Sequence, residues 1–564
     1  MAQVGNLRHV NNNNKIMPKT ILFSLLLVTN VTFAGTNYFV SNAGKDTNNG
    51  LSTANPFKTA TYAATIATHG DTINIMAGTY TNPTYGVWNV WKTEQTVKIN
   101  NKIATSNNYL VIRPYKNDLV KIKGDGDYIF QIRNSTYIRV EGFEIEGEVN
   151  QIPIDSALKY QFVYHDNNLN KDTFRVRFGT PASQVEKMTF PTLNNIINPT
   201  TINNIGLLVQ GSNHIDIIRN VIHHNTGTGL RVFQCDYINI LENEIHNNSR
   251  RSSVGNHGLV VHSSTSVDNN NDYKIFICKN KVYNNYNEVY SWSPLKTFIT
   301  PHIDEGKGIS MQKNTVANGW VRGKIKIENN ITHHNGFSGV HINEGIRMDI
   351  INNTAYNNNV SYDGSGNNFG ISVQGGDSIG VYNNISVAPT FGYAMSASSA
   401  THLYISNNLI SGLADTDVNA IATNMIFANP MFVDTLQFKL KSTSPAINTA
   451  LVSVAPKIDC YNMNRDAMPD RGATEFVPPV TRLSKVIKLT ERVKAYPNPT
   501  NGLIYIENID LKYFQVLTVD GQDITKQVSV QTSDLLNIFN LSNQVNGIYF
   551  LRLNQQLVKV VKYD

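Results

Sequence analysis

From residue 301 to 308 the chain reads Pro301-His302-Ile303-Asp304-Glu305-Gly306-Lys307-Gly308. Adjacent carboxylates can hold a hard cation such as Ca2+, and a carboxylate beside an ammonium can act as acid and base. Asp304 and Glu305 are therefore candidate metal ligands and Lys307 a candidate base. A charged turn closing an insertion explains the same residues equally well. Removing a proton next to a carboxylate needs a cation to neutralise it, a base, and a group to stabilise the enolate. Arg231, or Ca2+ on Asp304 and Glu305, supplies the neutralising charge; Lys307, His262 or His341 supplies the base. Gln210, Phe233, Gln312, Asn343, Gln374 and His257 are candidates for holding a substrate. Cleavage by water needs two carboxylates, about 5 Å or 6.5–9.5 Å apart, and Asp304, Glu305 and Glu344 are the evident supply.

These residues sit in a repeat. A glycine followed by alternating apolar residues recurs at Gly206, Gly229, Gly258, Gly308, Gly339 and Gly370. A second short strand follows each, ending in Asn220, Asn243, Asn280, Asn330, Asn353 and Asn384, and a seventh copy ends in Asn408. Short strands at this period, without helical periodicity, predict one coil of a solenoid per repeat, since no single coil can bury its apolar face. Residues one and three after each glycine point inward, and those two and four after it point outward. The in-register Asn residues are expected to form an internal amide ladder.

The outward positions form two columns. One reads Leu208, Arg231, Val260, Ser310, His341, Ser372; the other reads Gln210, Phe233, His262, Gln312, Asn343, Gln374. Coils about 4.8 Å apart would make these columns a shallow groove for a linear polymer, and a plain solvated face is the alternative. Surplus residues enter around 249–257, 264–272, 284–306 and 314–323, which predicts loops on one irregular flank, and 150–200 is a further excursion. The pairs His223-His224 and His333-His334 fall after the Asn positions and read as turn residues, not metal ligands.

The bulk properties agree with an exported all-β protein. The net charge of +6 over 564 residues comes without a dense Lys/Arg tract, which argues against nucleic acid and permits an acidic partner. Cys235, Cys278 and Cys460 are too scattered for a disulfide framework or zinc site and read as separate thiols. Lys19, the apolar run Ile21 to Val28 and Thr32-Phe33-Ala34 form a signal peptide over 17–34, with Met17 as the start. No segment is of membrane-spanning length, and the mature protein is expected to be soluble and monomeric.

The opening residues Thr36 to Asp46, Gly50, Pro56-Phe57, Gly70-Asp71 and Gly78-Thr79-Tyr80 resemble the entry coils of bacterial β-helix proteins related to polysaccharide lyases, the chondroitinase-B-like group among them. So do Asn429 to Asp434, Ser444 to Asn448, Arg465 and Asp470 to Glu475 at the exit. The Lys and Arg motif context of chondroitinase-B-like catalysis is missing, so no catalytic residue transfers directly. The end of the chain is similar to the type A sorting domain of the type IX secretion system of Bacteroidetes, on Tyr496 to Gly502, Asp520-Gly521 and Gly547 to Leu553. The resemblances imply an all-β right-handed parallel β-helix with a C-terminal cap over 35–478, a linker over 479–490 and a small β-sandwich over 491–564. They also imply export through the outer membrane by the type IX machinery, to the cell surface or the medium. The expected activity is β-elimination on a uronic-acid-containing polysaccharide. The alternatives are a β-helix glycoside hydrolase and a non-catalytic glycan-binding surface protein.

Overall fold

The alternation of the repeats becomes three short strands per coil, as in Ile205–Gln210, Asn213–Ile218 and Val221–His223. The computed structural model describes residues 35–563 except 88–91, 107, 159–164, 167–170, 173–199, 253–254, 290–304, 361–368, 390–391, 479–494, 508–510, 512, 533–535 and 555. Each strand pairs in parallel with its counterpart in the next coil, for example Leu207 with Leu230, Ile215 with Ile238 and Ile222 with Ile245. First and second strands stack into an 18-stranded sheet and third strands into an 11-stranded one. The result is a right-handed parallel β-helix. From Ser338 onward the first and second strands run together through a bend, as in Ser338–Ile351, Phe369–Tyr382 and Tyr393–Ser406. The inward residues Leu207, Val209, Ile215, Ile217 and Ile222 are fully buried, and their equivalents in each coil continue one unbroken core.

Corners need residues that accept a left-handed backbone. The position before each ladder Asn does so: Arg219, Glu242, Lys279, Asn329, Asn352, Asn383 and Asn407 all have φ between 51° and 59°. The turn throws the next side chain inside the coil, and the amides bond up the stack. Asn220 Nδ2 donates to Asn243 Oδ1 at 3.1 Å, and the series runs unbroken through Asn280, Asn330, Asn353 and Asn384 to Asn408. Five residues further on in each coil a second ladder links Asn225, Asn248, Asn285, Asn335 and Asn358 at 2.8–2.9 Å. Each amide meets donors and acceptors that burial would otherwise leave unsatisfied, except Asn225 at the end of the second ladder, whose Oδ1 is buried without a partner among the described residues.

After the last coil the chain turns back as a strap over the corner between second and third strands. Asn407 Nδ2 donates to Thr449 O, Asn383 to Leu451 O, Asn352 to Asp470 O and Asn329 to Ile458 O. Arg465 is buried in the strap, its Nη1 2.8 Å from Glu475 Oε2 and its Nη2 donating to Asn329 Oδ1 at 3.0 Å. Cys235, Cys278 and Cys460 are separate free thiols.

The chain divides into two compact units, 1–477 and 478–564. In the second, a 4-stranded and a 3-stranded antiparallel sheet enclose Ile504, Ile506, Val516, Phe539, Leu551, Leu553 and Val560.

Candidate active site on the first-strand wall

The outward columns exist in the expected register. Gln210, Phe233, His262, Gln312, Asn343 and Gln374 are successive partners up the first strands, as are Leu208, Arg231, Val260, Ser310, His341 and Ser372. The columns do not form one shallow face, however. Leu208, Val260, Ser310, His341 and Ser372 are all less than 5 % exposed, while Gln374 is exposed and the rest of its column half-buried. Apart from the half-buried Arg231, the outward column nearer the preceding corner is a covered floor, and the farther one remains a wall. Phe337 is one covering group, with its ring 5.9 Å from that of His341 and 4.8 Å from Lys307 Nζ.

Residues just ahead of two successive first strands meet over this floor. Lys307 Nζ lies 2.7 Å from Glu305 Oε2, and His257 Nε2 lies 3.5 Å from the same oxygen. Both His257 ring nitrogens are engaged: Nδ1 accepts from the Lys307 backbone N–H at 3.3 Å, and Nε2 lies 2.7 Å from the Gln312 side-chain nitrogen. Gln312 also donates to Ser310 Oγ at 3.1 Å. One coil on, His341 Nδ1 is 2.5 Å from Ser372 Oγ. Lys307 and His257 are each the residue before a repeat glycine, which is why two coils of different length still bring them together.

A second group adjoins it. The Arg231 guanidinium lies over the Phe233 ring at 5.6 Å, and the Phe233 and His262 rings are 5.3 Å apart. Burial, with the charges of Arg231 and Lys313, pushes His262 down to about 4. The half-exposed imidazole is therefore neutral near pH 7. Its Nδ1 is buried without a hydrogen-bond partner among the described residues. A neutral imidazole beside a guanidinium provides a base next to a carboxylate-binding cation.

Not every candidate joins these groups. Asp304 lies outside the described residues. Glu305 has Lys307 and His257 as neighbours, so an ammonium already stands where a cation would be drawn. Glu344 is exposed at the strand bend, with φ of 58°. Five residues of strand part it from Gly339, roughly 16 Å, and Glu305 precedes the aligned Gly308. Glu305 and Glu344 are thus not a pair at hydrolytic spacing. The surplus residues also do not share one flank. Those around 249–257 and 284–306 enter between third and first strands, whereas 264–272 and 314–323 enter between first and second strands, bracketing the wall on both sides. The excursion over 150–200 enters at the same corner as the first pair. Ser310, Ser372 and Phe337 belong to the site although they were not singled out as candidates; the two serines occupy column positions, which was the available signal.

On the third strands His223, His246, Tyr283 and His333 stack ring on ring, 4.7–5.0 Å apart. His224 and His334 occupy the left-handed turn positions beside them. Glu144, Glu146 and His223 lie close enough together to offer a metal three ligands. Lys121 already bridges both carboxylates, which accounts for that cluster without an ion.

Residues 494–563 match the family described as the secretion system C-terminal sorting domain. The chain is thereby marked for type IX export, to the cell surface or beyond. Among the described residues no helix is long and apolar enough to cross a membrane. No curated protein matches the chain in sequence. Among solved structures, the pectate lyase Pel9A is similar at TM-score 0.44 and 16% identity, covering 79% of this chain and 97% of that one. A rhamnogalacturonan lyase is similar at TM-score 0.40 and 13% identity, covering 79% and 97%. The A-module of the Azotobacter vinelandii mannuronan C-5 epimerase AlgE4 is similar at TM-score 0.36 and 13% identity, covering 66% and 89%.

Proposed function

We propose that the first-strand wall from Arg231 to His341 is the active site of an exported lyase that cleaves a uronic-acid-containing polysaccharide by β-elimination. The observation that carries this reading is the placing of the His262 imidazole and the Arg231 guanidinium on neighbouring coils about the Phe233 ring. Arg231 receives the uronate carboxylate and lowers the cost of the enolate formed from it. His262 takes the proton on the carbon next to that carboxylate. The electron pair forms a carbon–carbon double bond as the bond to the glycosidic oxygen breaks, and the departing oxygen takes a proton from the imidazolium or from water. Phe233 offers an apolar platform for a sugar face, and Gln210, Gln312, Asn343 and Gln374 offer amides to its hydroxyls. His257, bridging Gln312 and Glu305, orients that side of the wall. Lys307, paired with Glu305, adds positive charge, while His341 supports the floor through Ser372. Ca2+ on Asp304 and Glu305 is the alternative source of that charge, and the Lys307 ammonium on Glu305 favours Arg231 over it.

The test is incubation of the purified protein with polyuronates and sulfated uronate polysaccharides. Ultraviolet absorption by unsaturated uronate ends is followed alongside the count of new reducing ends. Both are expected to rise together and to be lost in His262→Gln. Reducing ends without absorption would overturn the proposal in favour of a hydrolase, and binding without product would leave a glycan-binding protein.

A further inference from the structure

On the outer face of the second strands, at the N-terminal end of the solenoid, lies a cavity of about 790 Å³, a size that holds small ligands. Its floor is one outward column. Phe39 pairs with Asn74 and Asn74 with Arg113 on successive coils, and the alignment of Ile112 with Val140 sets Glu141 next. Ile73, Ile75 and Ile112, at the alternate positions, are buried in the core, so the column between them faces outward. The turn from Tyr115 to Asp118 forms one side. Asp118 N–H donates to Tyr115 O at 3.0 Å, and Asp118 Oδ2 accepts from Ala77 N–H of the preceding coil at 2.9 Å. Gly142 and Arg219 border the cavity at the corner position that the strap bonds on later coils, at Asn329, Asn352, Asn383 and Asn407.

Three features of the lining select a ligand. Asn74 is only 3 % exposed. Its Nδ2 donates to Asn37 Oδ1 at 3.0 Å and to Tyr38 O at 3.4 Å, whereas its Oδ1 accepts from no donor among the described residues. A nearly buried amide oxygen at a cavity wall calls for a donor, such as a hydroxyl. The charges form the second feature: Arg113, Lys116 and Arg219 against Asp118 and Glu141 leave one positive charge. Arg219 Nη2 lies 3.0 Å from Glu141 Oε2, so the excess falls on the side of Arg113 and Lys116. Third, the Phe39 and Tyr115 rings meet edge to face at 5.3 Å, with Lys116 Nζ 5.1 Å from the Tyr115 ring. They give the cavity an apolar patch beside its polar groups.

We propose that this cavity is a second glycan-binding site, which holds a uronate sugar without cleaving it. The carboxylate pairs with the Arg113 guanidinium, a hydroxyl donates to Asn74 Oδ1, and the ring lies against Phe39 and Tyr115. A bare dianion such as sulfate meets only the cation. Among the described residues no histidine lines the cavity, so no neutral imidazole stands there as a base, and binding without turnover follows. The site shares an acidic glycan with the lyase reading but none of its residues. A polymer anchored here remains with the protein between cleavages.

The experiment titrates the full-length His262→Gln protein, in which elimination does not consume the ligand, by calorimetry. Trigalacturonate and trimannuronate are the probes, with uncharged galactotriose for comparison. At least one uronate trimer is expected to bind. Arg113→Gln, at an exposed position, is expected to remove one binding event per chain by weakening it about tenfold or more, with no change in unfolding midpoint. Asn74→Asp, of the same shape but anionic, is expected to remove the same event. Its loss supports the proposal whether or not another event, at the first-strand wall, survives, so the lyase reading is judged separately. Unchanged titration of Arg113→Gln would overturn the proposal, as would binding of neither uronate, equal binding of galactotriose, or equally effective displacement by sulfate.

Discussion

Asn280 tests whether the amide ladder holds the helix together. Its Oδ1 accepts from Asn243 N at 3.0 Å and from Asn243 Nδ2 at 3.1 Å, and its Nδ2 donates to Ile240 O at 2.8 Å and Asn330 Oδ1 at 3.0 Å. Asn280→Ala removes all of these from a site without water access. At about 1 kcal/mol net per bond, with buried partners left unmet, the loss is on the order of 4 kcal/mol. Asn280→Asp keeps the shape and the acceptor but turns an oxygen toward Ile240 O and Asn330 Oδ1. The new carboxyl would be raised well above its unfolded value by burial, so the folded form binds the extra proton. Its penalty is then smallest in acid and grows as pH rises above about 4. The assay is urea unfolding followed by tryptophan fluorescence, with the fully buried Trp320 as one reporter. A loss below about 1 kcal/mol for Asn280→Ala would refute the reasoning, as would an Asn280→Asp penalty that does not change with pH.

Other expectations concern the site and the outer ring stack. His262→Gln should lower kcat by roughly a hundredfold or more with little change in unfolding midpoint. Because the base must be neutral and His262 sits at about 4, the wild-type rate should stay level on acidification until pH nears 4; an acid limb near 6.5 would show that the ring is not held as described. His224 and His333 are both pushed down to about 4, chiefly by burial, with neighbouring imidazoles adding to it. The unfolded chain therefore binds their protons first, and their stabilisation, full above about 6.5, is lost as pH falls toward 4; an unfolding midpoint unchanged across that window would contradict this. With Glu305 already ion-paired to Lys307, chelator is expected to leave turnover unchanged, and a loss restored by Ca2+ would return the metal to the mechanism.

The solenoid was legible because its constraints repeat. Only a left-handed corner followed by an inward amide explains Asn at one place in seven coils, and where register slips at the edge of an insertion, between Tyr273 and Ile275, the ladder strand then resumes its alignment. The second ladder is equally legible, as Asn225, Asn248, Asn285, Asn335 and Asn358 keep the same spacing from the first. Site residues within strands could be aligned from their glycines, which put Arg231, Phe233 and His262 side by side. What covers a column depends on irregular segments, which have no period to read, so the burial of Ser310 and His341 was invisible. The placement of surplus residues on one flank failed for a related reason. Counting residues between ladder positions locates an insertion in a coil but not at which of its corners.

The strap gives the solenoid a direction in time. A stack of coils can otherwise fold from any point, each coil resting only on its neighbours. Here Asn329, Asn352, Asn383 and Asn407 are bonded by residues between 449 and 472, the last stretch of the solenoid to be synthesised. Those coils can be laid down early but are fastened only once that stretch has emerged. Until then the C-terminal end stays the part most open to fraying, and closing the strap is what completes the fold.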